Sequence, residues 1–87
     1  MKAKYGQSVV EIWKISHDEP KEEWVRQLFE SGQFQWKAKK TYIQAVGSWM
    51  AYGLVIGYIG DYLVKDDSYR VIKEKEFMKR YEVIPNH

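Results

Sequence analysis

Residues 8–16 form the first segment in which apolar side chains dominate, and the segment contains neither glycine nor proline. In an extended chain Val9 and Trp13 point to one side, whereas Val10 and Ile12 point to the other. Strands with apolar side chains on both faces lie in the interior of a sheet and are covered on both sides. The pattern therefore predicts a central strand over residues 8–16.

The next segment has the spacing of an amphipathic helix. Asp18 is a residue type that caps helix N-termini, Pro20 suits the first turn, and Gly32 suits the position after the last turn. The apolar residues between them are Trp24, Val25, Leu28 and Phe29. Because these four share one face of a helical wheel, the pattern predicts a helix over about residues 20–31. We expect its apolar face to pack on a sheet rather than to bind a partner.

The rest of the chain has the pattern of short strands separated by glycines and one charged turn. The predicted strands cover about residues 33–40, 42–46, 49–52, 54–59, 61–64, 69–72 and 81–84. The charged turn at residues 65–68 predicts a hairpin of the strands on either side of it. Residues 73–80 predict a short helix that has Phe77 and Met78 as its apolar residues.

Together these elements predict a single α+β domain over residues 1–87. In this fold a small, bent, mostly antiparallel sheet is covered by the amphipathic helix at 20–31, with a short C-terminal helix near 73–80. Glycines at 47, 53, 57 and 60 allow the bends. The expected core residues are Val10, Ile12, Trp24, Leu28, Phe34, Val55, Ile59, Leu63, Val71, Phe77 and Ile84.

A membrane-spanning helix is the alternative for residues 41–60, which are twenty residues without a charge. That length is close to what a bilayer requires. However, four glycines interrupt the stretch, and its Trp and Tyr residues are spread along it instead of lying at the two ends. Glycines at such intervals favour turns between short strands, so we expect no membrane contact.

Composition and charge exclude several classes of function. The chain has no Cys, which excludes disulfides, thiolate metal sites and cysteine nucleophiles. Its net charge of +2 does not by itself indicate a polyanionic partner. No apolar run of signal-peptide length follows the basic N-terminus. We therefore expect a cytoplasmic protein.

The sequence gives little support to catalysis. There are two His residues, and His87 is the last residue of the chain, so only His17 is placed to serve an ordered site. One His without Cys does not build a nucleophile and base pair that the sequence can locate. His17, Asp18 and Glu19 are successive residues whose side chains diverge, whereas a metal site needs convergent ligands. We expect no enzyme activity, no cofactor and no metal.

Aromatic residues make up 16% of the chain, more than one small core obviously needs. Tyr and Trp combine a flat apolar body with a polar tip, which suits binding pockets. Arg70 lies in the predicted hairpin and can bind a phosphate or carboxylate through two hydrogen bonds. The candidate ligand-binding residues are Trp36, Tyr42, Trp49, Tyr52, Tyr69 and Arg70. Tyr58 belongs to the same aromatic surplus, and the alternative use of these rings is in the core or in a homo-oligomer interface.

A basic patch at Lys37, Lys39 and Lys40 follows Phe34 and Trp36 and indicates nucleic acid as a further class of partner. Strand alternation opposes this interpretation, because it places the two aromatic rings on the face opposite Lys37 and Lys39. A stacking platform needs its rings and its cations on one face. Core aromatics behind a solvated lysine face are therefore favoured, with nucleic-acid binding as the alternative.

The C-terminal part of the chain carries a set of short motifs at residues 60–64, 69–71, 77 and 81–84. In these motifs it resembles the C-terminal part of small uncharacterised phage and prophage proteins. Those proteins have a Gly-Asp-aromatic strand, a hairpin, a short Phe-bearing helix and a closing Tyr-Glu-x-hydrophobic strand. This chain departs from them in its hairpin turn, where residues 67–71 replace a Gly-Glu-Phe-Tyr-Pro-Cys-like sequence. The resemblance implies an architecture and brings no established activity.

By analogy, a phage protein of this size acts by stoichiometric binding, for example to counter a host defence. The leading hypothesis is therefore a non-enzymatic accessory protein in the bacterial host cytoplasm. It binds a host protein or a small anionic, nucleotide-like ligand, and it forms a homo-oligomer. The alternatives are a nucleic-acid-binding protein that uses Lys37, Lys39 and Lys40, and a small structural component of a virion.

Overall fold

The computed structural model describes residues 1–45, 55–66 and 69–84. The strands are β1 (Lys2–Tyr5), β2 (Ser8–Lys14), β3 (Phe34–Lys37), β4 (Tyr42–Ala45), β5 (Ile56–Tyr58), β6 (Tyr62–Lys65), β7 (Tyr69–Ile72) and β8 (Glu82–Ile84). The helices are α1 (Glu23–Glu30) and α2 (Glu74–Arg80). The predicted α+β class is confirmed, and so is the hairpin, which β6 and β7 form.

The strands form two antiparallel sheets instead of one bent sheet. A five-stranded sheet has the order β7-β6-β2-β1-β8, and a three-stranded sheet has the order β3-β4-β5. The chain passes from the second sheet to the first in the turn between β5 and β6, where Gly60 has a φ of +96°. Directly after this turn the backbone of Asp61 bonds to Ile15, next to β2. The left-handed conformation at Gly60 therefore separates the two sheets.

The sequence pattern does not predict β1, although it forms a full partner of β2. Only one residue of β1, Ala3, is buried, because the strand is otherwise polar or exposed. The tight turn at Gly6, with a φ of +63°, joins β1 to β2. The central position predicted for residues 8–16 is confirmed, since β2 pairs with β1 on one side and β6 on the other.

The five-stranded sheet separates two apolar cores. The first core lies against α1 and the three-stranded sheet and consists of Trp13, Ile15, Val25, Leu28, Phe34, Ile43, Ala45 and Leu63. The second lies on the α2 side and consists of Ala3, Val10, Ile12, Tyr62, Val64, Phe77 and Tyr81. Neighbouring residues of β2, such as Ile12 and Trp13, belong to different cores, as expected for a strand that is covered on both faces.

Helix α1 begins later than the sequence predicts. Its N-cap is Glu22, with extended backbone angles and no side-chain cap hydrogen bond, so Asp18 does not cap the helix. Proline disfavours helical angles in the residue before it, and the carbonyl of Pro20 accepts a hydrogen bond from Arg26 Nε (2.7 Å). The segment between β2 and Glu22 is not helical and links the strand to the helix.

Most of the expected core residues are buried or half-buried. Val10, Ile12, Leu28, Phe34, Leu63 and Phe77 are buried, and Trp24, Val55, Val71 and Ile84 are half-buried. Ile59 is the error, because it lies in the turn between β5 and β6 and is 45% exposed.

The uncharged stretch of residues 41–60 contains β4 and β5, and its residues 46–54, including the predicted strand at 49–52, lie outside the described residues. Within the described part of the chain, no helix is both long enough and apolar enough to cross a membrane.

Gly57 in β5 lies where the two sheets approach each other. A Cβ atom at this position would overlap Cδ1 of Ile15, and it would lie 3.2 Å from Cγ2 of Val71 and 3.3 Å from Cγ1 of Ile43. Ile15 follows β2 and Val71 belongs to β7, whereas Ile43 belongs to β4 in the second sheet. Only glycine leaves the space that this contact between sheets requires.

We expect Gly57→Ala to lower the free energy of unfolding by about 1–3 kcal/mol, because the added methyl overpacks the first core. Ile15→Val alone removes the overlapping Cδ1 methyl and costs about 0.5–1.5 kcal/mol. The double variant should lose less unfolding free energy than the sum of the losses in the two single variants, by roughly 0.5 kcal/mol or more. Urea denaturation of the four proteins measures this coupling. Strict additivity would show that Ile15 does not limit the space at Gly57.

Candidate nucleic-acid interface

The outer face of the three-stranded sheet carries polar and aromatic side chains. Strand alternation turns the buried residues of β3 and β4 towards the first core: Phe34, Ile43 and Ala45. The residues between and beyond them occupy the opposite face: Gln35, Lys37, Tyr42, Gln44, Ile56 and Tyr58. None of the residues in these three strands is acidic. The three strands therefore contribute no carboxylate to this outer face.

One row across this face joins a lysine to two tyrosines. Lys37 pairs with Tyr42 across β3 and β4, and Tyr42 pairs with Tyr58 across β4 and β5. The two tyrosine rings have centroids 5.5 Å apart and are tilted by 49°. Tyr58 is 45% exposed, and Nζ of Lys37 donates to Oε1 of Gln35 (3.3 Å) on the same face.

Lys73 extends the row beyond Tyr58. Its Nζ lies 5.1 Å from the centroid of the Tyr58 ring and 3.5 Å from Oδ2 of Asp61. Asp61 is itself buried, and the same oxygen accepts a hydrogen bond from the backbone N–H of Tyr58 (3.3 Å). Asp61 thus holds the Lys73 ammonium group next to the second tyrosine. We call Lys37, Tyr42, Tyr58 and Lys73 the tyrosine platform.

The turn between β3 and β4 places two more lysines at the Lys37 end of the platform. Ala38, Lys39 and Lys40 all have left-handed backbone angles, with φ of +49°, +56° and +66°. The predicted strand therefore ends at Lys37 and not at Lys40. Each left-handed residue with a side chain costs about 1–2 kcal/mol, so the surroundings must hold this conformation.

Two sets of hydrogen bonds hold the turn. The backbone N–H of Thr41 donates to the carbonyls of Lys37 (3.1 Å) and Ala38 (3.2 Å). From the other side, Nε2 of His17 donates to the carbonyl of Lys40 (2.6 Å), which requires that Nε2 carries a proton. The side chains of Lys39 and Lys40 remain exposed.

The structure therefore brings together one candidate ligand residue, Tyr42, and the candidate nucleic-acid residues Lys37, Lys39 and Lys40. The expectation that Phe34 and Trp36 lie on the face opposite Lys37 is correct for the strand itself. It does not remove the platform, because the neighbouring strands supply its rings. The outward position of Tyr42 could have been predicted from strand alternation in β4, because a buried Ile43 implies that Tyr42 points outward.

The other candidate ligand residues lie elsewhere. Tyr69 packs in the first core, where its ring meets those of Trp24 (6.3 Å) and Phe34 (6.1 Å). Arg70 lies in β7 of the five-stranded sheet. Trp49 and Tyr52 lie outside the described residues.

Trp36 lines a separate groove of about 290 Å³ between the linker that follows β2, α1 and β3. Its ring stacks on Phe29 (5.9 Å) and meets His17 (5.4 Å). His17, Asp18 and Glu19 lie along this groove. In the described part of the chain, no three His, Asp or Glu residues are grouped so that they could hold a metal ion.

No protein-family model, curated protein or solved structure matches this chain. The resemblance to phage and prophage proteins therefore stays a prediction.

The residues that carry this resemblance lie in a turn and in the second core. Gly60 and Asp61 form the turn that leads into β6, and Phe77 and Tyr81 are buried in the second core.

The left-handed turn gives a stability prediction. We expect Ala38→Gly to raise the free energy of unfolding by about 0.5–1 kcal/mol, because glycine adopts a positive φ without the cost that alanine carries. Lys21→Gly is the control, since Lys21 is exposed and has a negative φ. It should leave stability unchanged or lower it. Chemical denaturation measures both, and a destabilising Ala38→Gly would contradict the left-handed turn.

Proposed function

We propose that this protein binds single-stranded nucleic acid on the tyrosine platform, as a stoichiometric binding protein and not as an enzyme. The single observation that carries the proposal is the strand register, which aligns Lys37, Tyr42 and Tyr58 on a sheet face to which the three strands contribute no carboxylate. Lys73 adds a second cation at the far end.

The platform supplies the two kinds of interaction that bind a single strand of nucleic acid. Exposed aromatic rings stack on bases, at about 1–3 kcal/mol per base, and neighbouring lysines bind the phosphates. Lys39 and Lys40 extend the positive charge beyond the Lys37 end of the row. Gln35 and Gln44 lie on the same face and offer amide groups to base edges.

A single strand fits this surface better than a duplex. Duplex recognition places a helix or a two-stranded ribbon in a groove, and the bases of a duplex are already stacked on one another. The platform is the face of a short sheet whose rings lie side by side, which suits bases that have been separated. We therefore expect little binding of a duplex with the same sequence.

The first test concerns stacking. Tyr58→Ala should weaken binding of a labelled single-stranded oligonucleotide of roughly twelve nucleotides by about 1–3 kcal/mol, measured by fluorescence anisotropy at low salt. Tyr58→Phe is the matched control, because it keeps the ring and should bind almost as well as the wild type. An equal loss of affinity in both variants would contradict stacking. If the wild type does not bind the oligonucleotide at about 50 mM salt, the proposal is wrong.

The second test concerns charge. Lys37→Glu should weaken binding and reduce the slope of log K against log salt by about 0.7, the value for one phosphate contact with a single strand. Lys21→Glu makes the same charge change at an exposed residue before α1 and should have a smaller effect. Equal effects of the two substitutions would show that binding follows overall charge and not the platform.

A further inference from the structure

A groove on the α2 side of the five-stranded sheet is lined by basic and aromatic side chains. It has a volume of about 370 Å³ and is formed mainly by Tyr5, Arg70, Lys73, Glu76, Arg80 and Tyr81. This size lies within the range of small-molecule sites, about 300–1,000 Å³. Three of these residues are basic and one is acidic.

One wall of the groove is the end of a column of four stacked rings. Tyr62 stacks on Phe77 (3.8 Å between centroids), Phe77 on Tyr81 (5.0 Å), and Tyr81 on Tyr5 (4.8 Å). The first three rings are buried, whereas Tyr5 is 43% exposed. A planar group that stacked on Tyr5 would continue the column.

Arg70 is oriented by two partners. Its Nη2 donates to Oδ2 of Asp66 (2.8 Å) and to the hydroxyl of Tyr81 (3.0 Å). Within the described part of the chain, Nη1 and Nε of Arg70 have no hydrogen-bond partner, and the side chain is 46% exposed. A guanidinium group that is held in this way offers its remaining N–H donors to the oxygens of an anion such as a phosphate.

Arg80 lines the same groove from the end of α2. Its Nε bonds to Oε2 of Glu76 (3.1 Å), and the side chain is 62% exposed. Lys73 lines the groove and also belongs to the tyrosine platform, and its ammonium group is directed to Tyr58 and Asp61. The two arginines are therefore the candidate anion-binding groups of the groove.

We propose that this groove binds a phosphate ester of a planar ring, for which a nucleoside monophosphate is the simplest probe. The ring stacks on Tyr5, and the phosphate contacts Arg70 and Arg80. This inference goes beyond the platform, whose Lys37, Tyr42 and Tyr58 lie on the other sheet and which shares only Lys73 with the groove.

Adenosine monophosphate tests the ligand class, with adenosine and inorganic phosphate as partial probes. Titration calorimetry should show one site per chain for the nucleotide, and binding of each partial probe should be at least about tenfold weaker. Absence of nucleotide binding at millimolar concentration would overturn the proposal. Equal affinity for inorganic phosphate would do the same, because the ring would then contribute nothing.

Variants test the residues. Arg70→Lys keeps the charge but loses the planar donor arrangement, and it should weaken nucleotide binding by about tenfold. Tyr5→Ala should weaken it to a similar extent, whereas Tyr5→Phe should preserve it. Because Arg70 also bonds to Tyr81, Arg80→Gln provides a second arginine variant, which removes a charge without touching that bond. Thermal denaturation confirms that each variant folds. Unchanged affinity in both arginine variants would contradict the site.

Tyr58→Ala separates this proposal from the platform. It should leave nucleotide affinity unchanged and weaken oligonucleotide binding. If it abolishes nucleotide binding while Arg70→Lys does not, the nucleotide binds on the platform and the groove proposal is wrong. If oligonucleotides fail to bind while the nucleotide binds in an Arg70-dependent way, the groove proposal stands without the platform.

Discussion

The close contact at Gly57 is the constraint on which the rest of the molecule depends. At this point β5 approaches Ile15 and Val71 without a side chain of its own. The contact brings the three-stranded sheet against the five-stranded sheet and closes the first core between them. Because the inner face of the smaller sheet is used in this way, its outer face is the one that carries the tyrosine platform.

The five-stranded sheet contributes residues to an apolar core on each of its two faces. A domain of this size buries a smaller fraction of its surface than a larger one, so each strand has to serve more than one contact. β2 does this through simple alternation, since Ile12 and Trp13 contribute to different cores. The result is a layered molecule in which α1 and the small sheet lie on one side and α2 lies on the other.

The sequence predicts the parts of this fold that have a strong local signal. The central strand, the amphipathic helix, the hairpin and the short helix with Phe77 all show clear periodicity or turn residues. β1 shows neither, because one buried alanine is its whole contribution to the core. The split into two sheets depends on a contact between residues far apart in sequence, such as Ile15 and Gly57, which no local pattern reveals.

The same distinction applies to the candidate sites. Alternation within β3 places Lys37 correctly, but its position beside Tyr42 depends on a turn whose three left-handed residues are not glycine. Left-handed angles are usually associated with Gly, Asn or Asp, so Ala38, Lys39 and Lys40 give no such signal. Likewise, its residue type makes Arg70 a candidate anion ligand, whereas its bond to Tyr81, eleven residues later, is a property of the fold.

The attachment of α2 has a consequence for local stability. Phe77 is the one buried residue of this seven-residue helix, so its docking free energy is of the order of burying a single aromatic side chain, about 2–3 kcal/mol. This is less than the total stability of a typical domain. The amide protons of α2 should therefore exchange with solvent through local opening, before the sheets unfold. During each opening Arg80 moves away from Arg70, so the basic groove loses one of its two arginines, while Tyr42 and Tyr58 keep their places on the other sheet.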